Sequence, residues 1–382
     1  MRKTLATLSL TVVTLLGLGI VLLATASTVR AQGLYADPHF FFKRQLMWLA
    51  LSVGVAYVIS KFDYHWWKQY PLLTSFFFGL VVVGLVLVFA PHIGGKVKGS
   101  YRWLNLGPLR MQPSEFAKIV TVVVMSVWMD RIGWRVRQFR KGALYPCCGL
   151  GILMALLVAE PDFGSTMVVA VAGCALLFVT GTRIWHLALI GCMGVPPLLL
   201  VLATNANRME RIKAWLSGEE SESAAAYQLQ QAILAFKNGG PWGVGFNQSI
   251  QKYNYLPEAH TDFIFAIGGE EFGFIFSVGV LIAYAVLLVC GILISMRAPD
   301  RLGRLLAFGM TLLLVFQAAF NIGVVTGCLP TKGLALPFIS YGGTNLITAL
   351  FAVGTLFNVG RHIDVFDASL HTQVVHNAVK EM

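Results

Sequence analysis

Residues 272–296 read FGFIFSVGVLIAYAVLLVCGILISM, a run without one charged side chain. A helix rises about 1.5 Å per residue, so this stretch outreaches the ~30 Å hydrocarbon core of a bilayer. Lipid offers no partner to backbone N–H and C=O groups, and a helix is the single-segment form that pairs them internally. The stretch therefore predicts a transmembrane helix.

Nine more apolar runs flank it, at 5–27, 45–60, 71–90, 115–129, 144–159, 165–181, 186–203, 305–325 and 344–360. Several are short, the fourth to sixth above all, which predicts tilted or partial spans. The composition agrees: 57% of the residues are hydrophobic and only 12% charged, against roughly 25% in a soluble domain. The expected fold is an all-α polytopic membrane protein of about ten spans. Arg2 and Lys3 before the first run give it the outline of a signal peptide. That run is longer than an ordinary signal h-region, so it is read as the first span. Residues 1–362 are expected to form one ten-helix domain, and 363–382 a polar tail.

Lysine and arginine set the orientation. The loop DRIGWRVRQFRKGA (130–143) carries five basic residues and RAPDRLGR (297–304) three. Placing both inside makes both termini cytoplasmic, as the positive-inside rule asks. The net charge of +11 then reads as topology signals and binding of anionic lipid groups, not of nucleic acid. Five of the six cysteines fall in or beside apolar runs and Cys328 stands alone on a loop, so no disulfide framework is expected.

Against this orientation, the external segment 91–114 is basic, with Lys96, Lys98, Arg102 and Arg110. It reads either as a tolerated exception or as a site for an external anionic group. The long external loop, 204–271, has an acidic middle around Glu219–Glu222, expected to be mobile. Its second half is rich in glycine and aromatic residues, which suits a constrained surface.

That half ends in YLPEAHTDFIFAIGGEEFG (255–273), with five titratable groups around an apolar run. Asp262 stands beside Phe263, Ile264 and Phe265, where partial desolvation makes a carboxylate a stronger base. Because 272–296 already spans the bilayer, 263–267 must occupy the outer mouth of the bundle, and ionisable groups at such depth are functional by default. Glu258, His260 and Asp262 share one face if the chain is extended, a weak metal triplet. Glu270 and Glu271 read as the acidic start of a helix. In QPSEFAK (112–118), Pro113 marks a helix start, and Glu115 and Lys118 share a helix face. They read as a structural ion pair or as a pair bordering a polar cavity. AEPDFG (159–164) sets Glu160 and Asp162 in a short external turn, and LPTKGLALPFISYGG (329–343) holds Lys332 in a rigid external loop. Isolated carboxylates beside Lys and Arg suit a pyrophosphate. The set fits glycosyl transfer from a lipid pyrophosphate donor.

YRWLNLGPLRMQPSEFAK, EPDFGST, NGGPWGVGFNQSIQKYNYLPEAHTDFIFAIGGEEFG and NIGVVTGCLPTKGLALPFISYGGTNL occur in this order. Together they resemble the shape, elongation, division and sporulation (SEDS) family, the FtsW and RodA proteins, over about residues 5–362. LPEAHTDFIFAI and LPTKGLALPFISYGG look more like the division branch than the elongation branch. GSYRW (99–103), GFNQS (245–249) and GGTN (342–345) depart from the family's usual wording. The resemblance implies a peptidoglycan glycosyltransferase that polymerises lipid II, the undecaprenyl pyrophosphate-linked precursor, outside the cytoplasmic (inner) membrane at the division septum. It implies Asp262 as the essential base and carries the family's paired charges to Glu115 and Lys118, and its PTKG lysine to Lys332. Arg102, Lys118 and Lys332 are then candidates to stabilise the leaving pyrophosphate, with Mg²⁺ or Mn²⁺ as a candidate cofactor, and Glu258 and His260 to tune or orient. A class B penicillin-binding transpeptidase and other divisome proteins are the implied partners. A lipid II flippase and a non-enzymatic divisome scaffold remain as alternatives.

Overall fold

The structure, a computed structural model, describes residues 1–382 except positions 92, 98, 99, 108, 205, 218–222, 254 and 381–382. Its first half comprises α1 (Arg2–Ala26), α2 (Thr28–Tyr35), α3 (Phe40–Lys61), α4 (Trp66–Gln69), α5 (Pro71–Leu87), α6 (Pro113–Ile132), α7 (Tyr145–Ala159) and α8 (Phe163–Val179). There follow α9 (Ile184–Ala203), α10 (Ala206–Ser217), α11 (Ala224–Gly239), α12 (Ile264–Arg297), α13 (Arg301–Val325) and α14 (Gly343–Lys380). Every one of the ten apolar runs is a helix, and α2, α4, α10 and α11 lie in connections. Among the described residues, five helices are long and apolar enough to cross a membrane unaided, within 2–26, 140–159, 264–297, 301–325 and 343–364. Shorter apolar helices occupy 71–87, 163–179 and 184–194; of the three runs expected to be shortest only the sixth is among them, since the fourth is a 20-residue helix and the fifth lies in one of the five long ones.

The first helix is an integral part of the bundle. Leu8, Val12, Leu15 and Leu22 recur at helical spacing and are all buried, so one face of α1 packs inward, chiefly on α12. Loops assigned to the same side meet one another. At the cytoplasmic end Lys68 pairs with Asp130 at 2.7 Å, and Arg301 donates to the Thr180 carbonyl at 3.2 Å. At the outer end Arg30 pairs with Glu258 at 2.9 Å, and Ser114 Oγ donates to Asp162 at 2.9 Å. All six cysteines are free.

Two external features differ from the simple loops expected. The basic segment folds as an antiparallel meander of β1 (Gly94–Val97), β2 (Ser100–Leu106) and β3 (Leu109–Met111), with Leu104 opposite both Gly94 and Met111. Lys98, and the acidic Glu219–Glu222 of the long loop, lie outside the described residues. The long loop itself carries α10 and α11.

The run 264–272 is helical yet does not simply prolong the eighth span. Gly273 adopts φ 75°, ψ −165°, which breaks the helix there. The left-handed φ favours glycine, and a β-carbon would strike the backbone of Pro241 and Gly243. The loop 240–245 fills the break: Phe274 N donates to Gly240 O at 2.9 Å, and Val244 N and Gly245 N donate to Glu270 O and Glu271 O at 3.0 Å. The short outer segment, which follows directly from Asp262, is thereby held at its own angle.

Candidate active site

Asp262 sits half-buried just before the short segment that opens α12. Its carboxylate lies against the loop between α13 and α14: a β-carbon placed on Gly333 would fall 2.6 Å from Asp262 Oδ2. Asn321 of α13 ties the two segments of this contact together, because its Nδ2 donates to Asp262 O at 2.8 Å and to Leu334 O at 2.6 Å. Lys332, next to Gly333, places its ammonium 4.9 Å from the centre of the Phe163 ring at the start of α8. PTKG, HTDF and EPDFG, distant in sequence, therefore meet at one outer site.

The EPDFG turn is electrostatically divided. Asp162 caps α8, accepting from Ser165 N at 3.2 Å, Ser165 Oγ at 2.9 Å and Ser114 Oγ at 2.9 Å. Burial alone would raise its pKa, but Arg102 and these hydrogen bonds hold it below the ordinary aspartate range. Glu160 is the opposite case. It is wholly buried, neither carboxylate oxygen meets a hydrogen-bond partner among the described residues, and burial with the neighbouring Asp162 pushes its pKa up to about 9. Arg102 reaches across from β2, donating from Nε to Glu160 O at 3.3 Å and from Nη2 to Pro161 O at 2.5 Å. This is where one basic residue of the 91–114 segment goes. It secures an acidic turn.

Arg211 of α10 was not singled out in the sequence. It is exposed on the outer rim, within electrostatic reach of both Arg102 and Asp262, and its Nη1 donates to Thr331 O at 3.5 Å. Its only sequence signal was a basic helix in an external loop, and nothing there tied it to residues 120 positions on.

Glu115 and Lys118 form a buried ion pair, Nζ to Oε1 at 2.7 Å, with side chains 7% and 4% exposed. Lys118 also donates to Gln317 Oε1 at 2.8 Å, and Gln317 Nε2 donates onward to Ala335 O at 2.8 Å and Asn345 Oδ1 at 2.9 Å. Thr348 Oγ1 completes the network on Glu115 Oε2 at 3.3 Å. The adjoining cavity, about 20 Å³, has room for roughly one water. These contacts describe a buried pair that also borders this small cavity, with Gln317, Asn345 and Thr348 among its lining. The pair props the Lys332–Ala335 loop from beneath, and its atoms face its own network.

Two expectations need correction. Residues 258–263 are turns, not an extended strand, and Glu258 itself has φ 59°. Glu258, His260 and Asp262 consequently do not share a face. Glu258 pairs with Arg30, and buried His260 packs its ring 4.8 Å from Phe41 and 5.9 Å from Tyr341. Nor do Glu270 and Glu271 begin a helix. Glu270 accepts from Ser249 Oγ, Gln251 N and Asn238 Nδ2, and Glu271 from Thr25 Oγ1 at 3.1 Å and Lys252 Nζ at 3.4 Å. They bind the glycine-rich loop and α1 to the break at Gly273.

A divalent cation at Asp262 would find one carboxylate amid arginine and lysine, not a multidentate cage. That donor set fits an ion of the Mg²⁺ type, which keeps several waters and is commonly held by one or two carboxylates together with substrate phosphates.

The chain is similar to known proteins over most of its length. The chain is 41% identical over 354 residues to the probable peptidoglycan glycosyltransferase FtsW of Trichlorobacter lovleyi, covering 92% of each chain. It is 37% identical over 365 residues to stage V sporulation protein E of Bacillus subtilis, covering 93% of this chain and 98% of that protein. Among solved structures it is similar to a chain from a study of polymerization and crosslinking by a peptidoglycan synthase complex, with a TM-score of 0.75, 26% identity, and 93% and 97% of the two chains covered. The family model described as a cell cycle protein, for FtsW, RodA and SpoVE, matches residues 6–364, and the chain belongs to that family.

Proposed function

We propose that this protein is a peptidoglycan glycosyltransferase of the cytoplasmic (inner) membrane, polymerising lipid II at the outer end of its bundle with Asp262 as the base. The observation that carries the reading is a half-buried carboxylate seated against a lysine-bearing loop, at an end that also gathers Arg102 and Arg211. The FtsW and synthase-complex relatives have matching chemistry in their names.

The sequence of events follows from the groups present. Asp262 accepts the proton of the acceptor sugar's 4-hydroxyl, and the freed oxygen attacks the anomeric carbon of the donor. The bond from that carbon to the pyrophosphate breaks, the lipid pyrophosphate leaves with the electron pair, and configuration inverts from α to β, as in inverting displacement by glycosidases with a hydroxyl in place of water. Lys332, Arg211 and Arg102 supply positive charge where the leaving group gains negative charge, so a general acid is not required. Mg²⁺ or Mn²⁺ held by Asp262 and the phosphates would add to that charge. Glu115 and Lys118 act by positioning the Lys332 loop. A class B penicillin-binding transpeptidase is the proposed cross-linking partner, and septal synthesis with other divisome proteins the proposed setting.

Purified chain is to be given lipid II with and without the transpeptidase, and the glycan products resolved by length. Strands are expected from the wild type. A positioned base contributes about 10²–10⁴-fold, so Asp262→Asn should polymerise nothing measurable while unfolding at the wild-type temperature. Wild-type rates from Asp262→Asn would remove Asp262 from the mechanism. Translocation of lipid II without strand formation would instead favour the transporter, and full function of Asp262→Asn in cells the scaffold.

A further inference from the structure

The opposite, cytoplasmic end of the bundle holds a second polar cluster that glycosyl transfer does not use. Asp63 and His65 lie in the turn between α3 and α4, and His362 on α14 comes to meet them across 297 positions of sequence. One ligand atom from each of the three falls within 4.8 Å of the others. Asp63 Oδ1 is 2.7 Å from His65 Nδ1 and 3.5 Å from His362 Nε2. Tetrahedral bonds of ~2.0–2.1 Å from nitrogen or oxygen to zinc set ligand atoms about 3.3–3.4 Å apart. Closing the 3.5 Å pair slightly, opening the 2.7 Å hydrogen bond and drawing in the remaining pair, which lies within 4.8 Å, by up to about 1.4 Å brings all three to that spacing.

An outer contact orients the His362 ring as a metal ligand needs; His65 Nδ1 now donates to Asp63 at 2.7 Å and becomes a ligand once that proton moves to Nε2 beside Asp300. His362 Nδ1 lies 2.9 Å from Asn358 O; a carbonyl only accepts, so that nitrogen carries the proton and Nε2 is left with its lone pair toward Asp63. Asp300 stands behind His65, 3.7 Å from Nε2, and is itself fixed by Tyr64 OH and by Gly303 N at 3.2 Å. A carboxylate behind one ligating histidine and a carbonyl behind the other is the usual outer shell of a histidine–metal site. The three side chains are half-buried, so an ion has a route in and a fourth position stays open to water.

We infer that Asp63, His65 and His362 form a cytoplasmic site for a divalent transition metal of the zinc class. Two imidazoles and one carboxylate suit that class, whereas Mg²⁺ and Ca²⁺ take oxygen ligands. The ion would clip α14 to the α3–α4 turn, adding to the hydrogen bond from Asn358 Nδ2 to Ile59 O at 2.7 Å. The inference is independent of the outer site.

The test uses purified full-length chain in detergent, stripped with chelator and titrated with Zn²⁺ against a chromophoric competitor. One Zn²⁺ per chain is expected, with a rise in unfolding temperature that chelator reverses. His65→Ala and His362→Ala should each weaken binding at least tenfold and abolish the rise, since loss of outer partners alone costs 10–100-fold. If these variants do not fold, Co²⁺ on the wild type decides: intense tetrahedral d–d absorption, displaced by Zn²⁺, is expected. No stoichiometric Zn²⁺, unaltered binding in folded variants, or a Co²⁺ spectrum of octahedral aquo type overturns the assignment.

Discussion

The Asp262 carboxylate rests against the α-carbon of Gly333, so close that a β-carbon there would stand 2.6 Å from Oδ2. Glycine at this position is thus a requirement of contact, set by the carboxylate on the facing turn. Gly333→Ala would push Asp262 aside while leaving every charge of the site in place. A misplacement of about 1 Å in a reacting group can cost 10²-fold. The variant should lose roughly that factor in lipid II polymerisation and keep the wild-type unfolding temperature within a few degrees. A wild-type rate would mean that the carboxylate's position is not critical.

Arg211 and Arg102 share the outer site but differ in what else they do. Arg211 is exposed, with one long hydrogen bond of 3.5 Å to Thr331 O, whereas Arg102 fastens the Glu160–Pro161 turn. A hydrogen bond to a charged group is worth about 1.5–3 kcal/mol, so Arg211→Ala should lower kcat/KM for lipid II roughly 10- to 100-fold with stability unchanged. Arg102→Ala should lower both kcat/KM and unfolding temperature. Equal stability loss in the two variants would contradict this division.

How much of this was legible in the sequence follows from the range of each interaction. Helix length and apolarity are local properties, and all ten runs were helices. Asp262 could be singled out because its neighbours 263–265 alone imply desolvation. Residues whose roles rest on long-range contacts could not be placed: Arg211 reaches Thr331, and Asn321 clamps Asp262 to Leu334. The extended reading of 258–262 failed because Glu258 adopts a left-handed φ, which alternation of residue types does not reveal. Glu270 and Glu271 misled for a related reason, since their carboxylates are taken up by Ser249, Lys252 and Thr25 from other parts of the chain.

The Glu115–Lys118 pair provides a test of support from beneath. Removing one partner of a buried pair leaves an uncompensated charge, at a cost of about 3–5 kcal/mol. Lys118→Met should lower stability on that scale in reversible detergent unfolding, and polymerisation should fall with it as the Lys332–Ala335 loop loses Gln317. The double change Glu115→Gln with Lys118→Met removes both charges and should recover most of the stability. Additive losses in the double variant would show that the two residues do not act as a pair.

Glu160 makes stability depend on pH in the direction opposite to an ordinary paired carboxylate. Buried and beside Asp162, it keeps its proton in the folded protein up to about pH 9, against an unperturbed value of 4.5. Between these values folding takes up a proton, so the folded state loses stability as pH rises. The stability tied to this proton is complete below about pH 4.5 and is lost as pH passes through about 9. Glu160→Gln keeps the shape and abolishes the titration. It should flatten the unfolding temperature between about pH 5 and 9 and raise it most at the alkaline end, where the wild type must bury a carboxylate that has no hydrogen-bond partner among the described residues. Parallel pH profiles for the two proteins would show instead that Glu160 is ionised in the folded state.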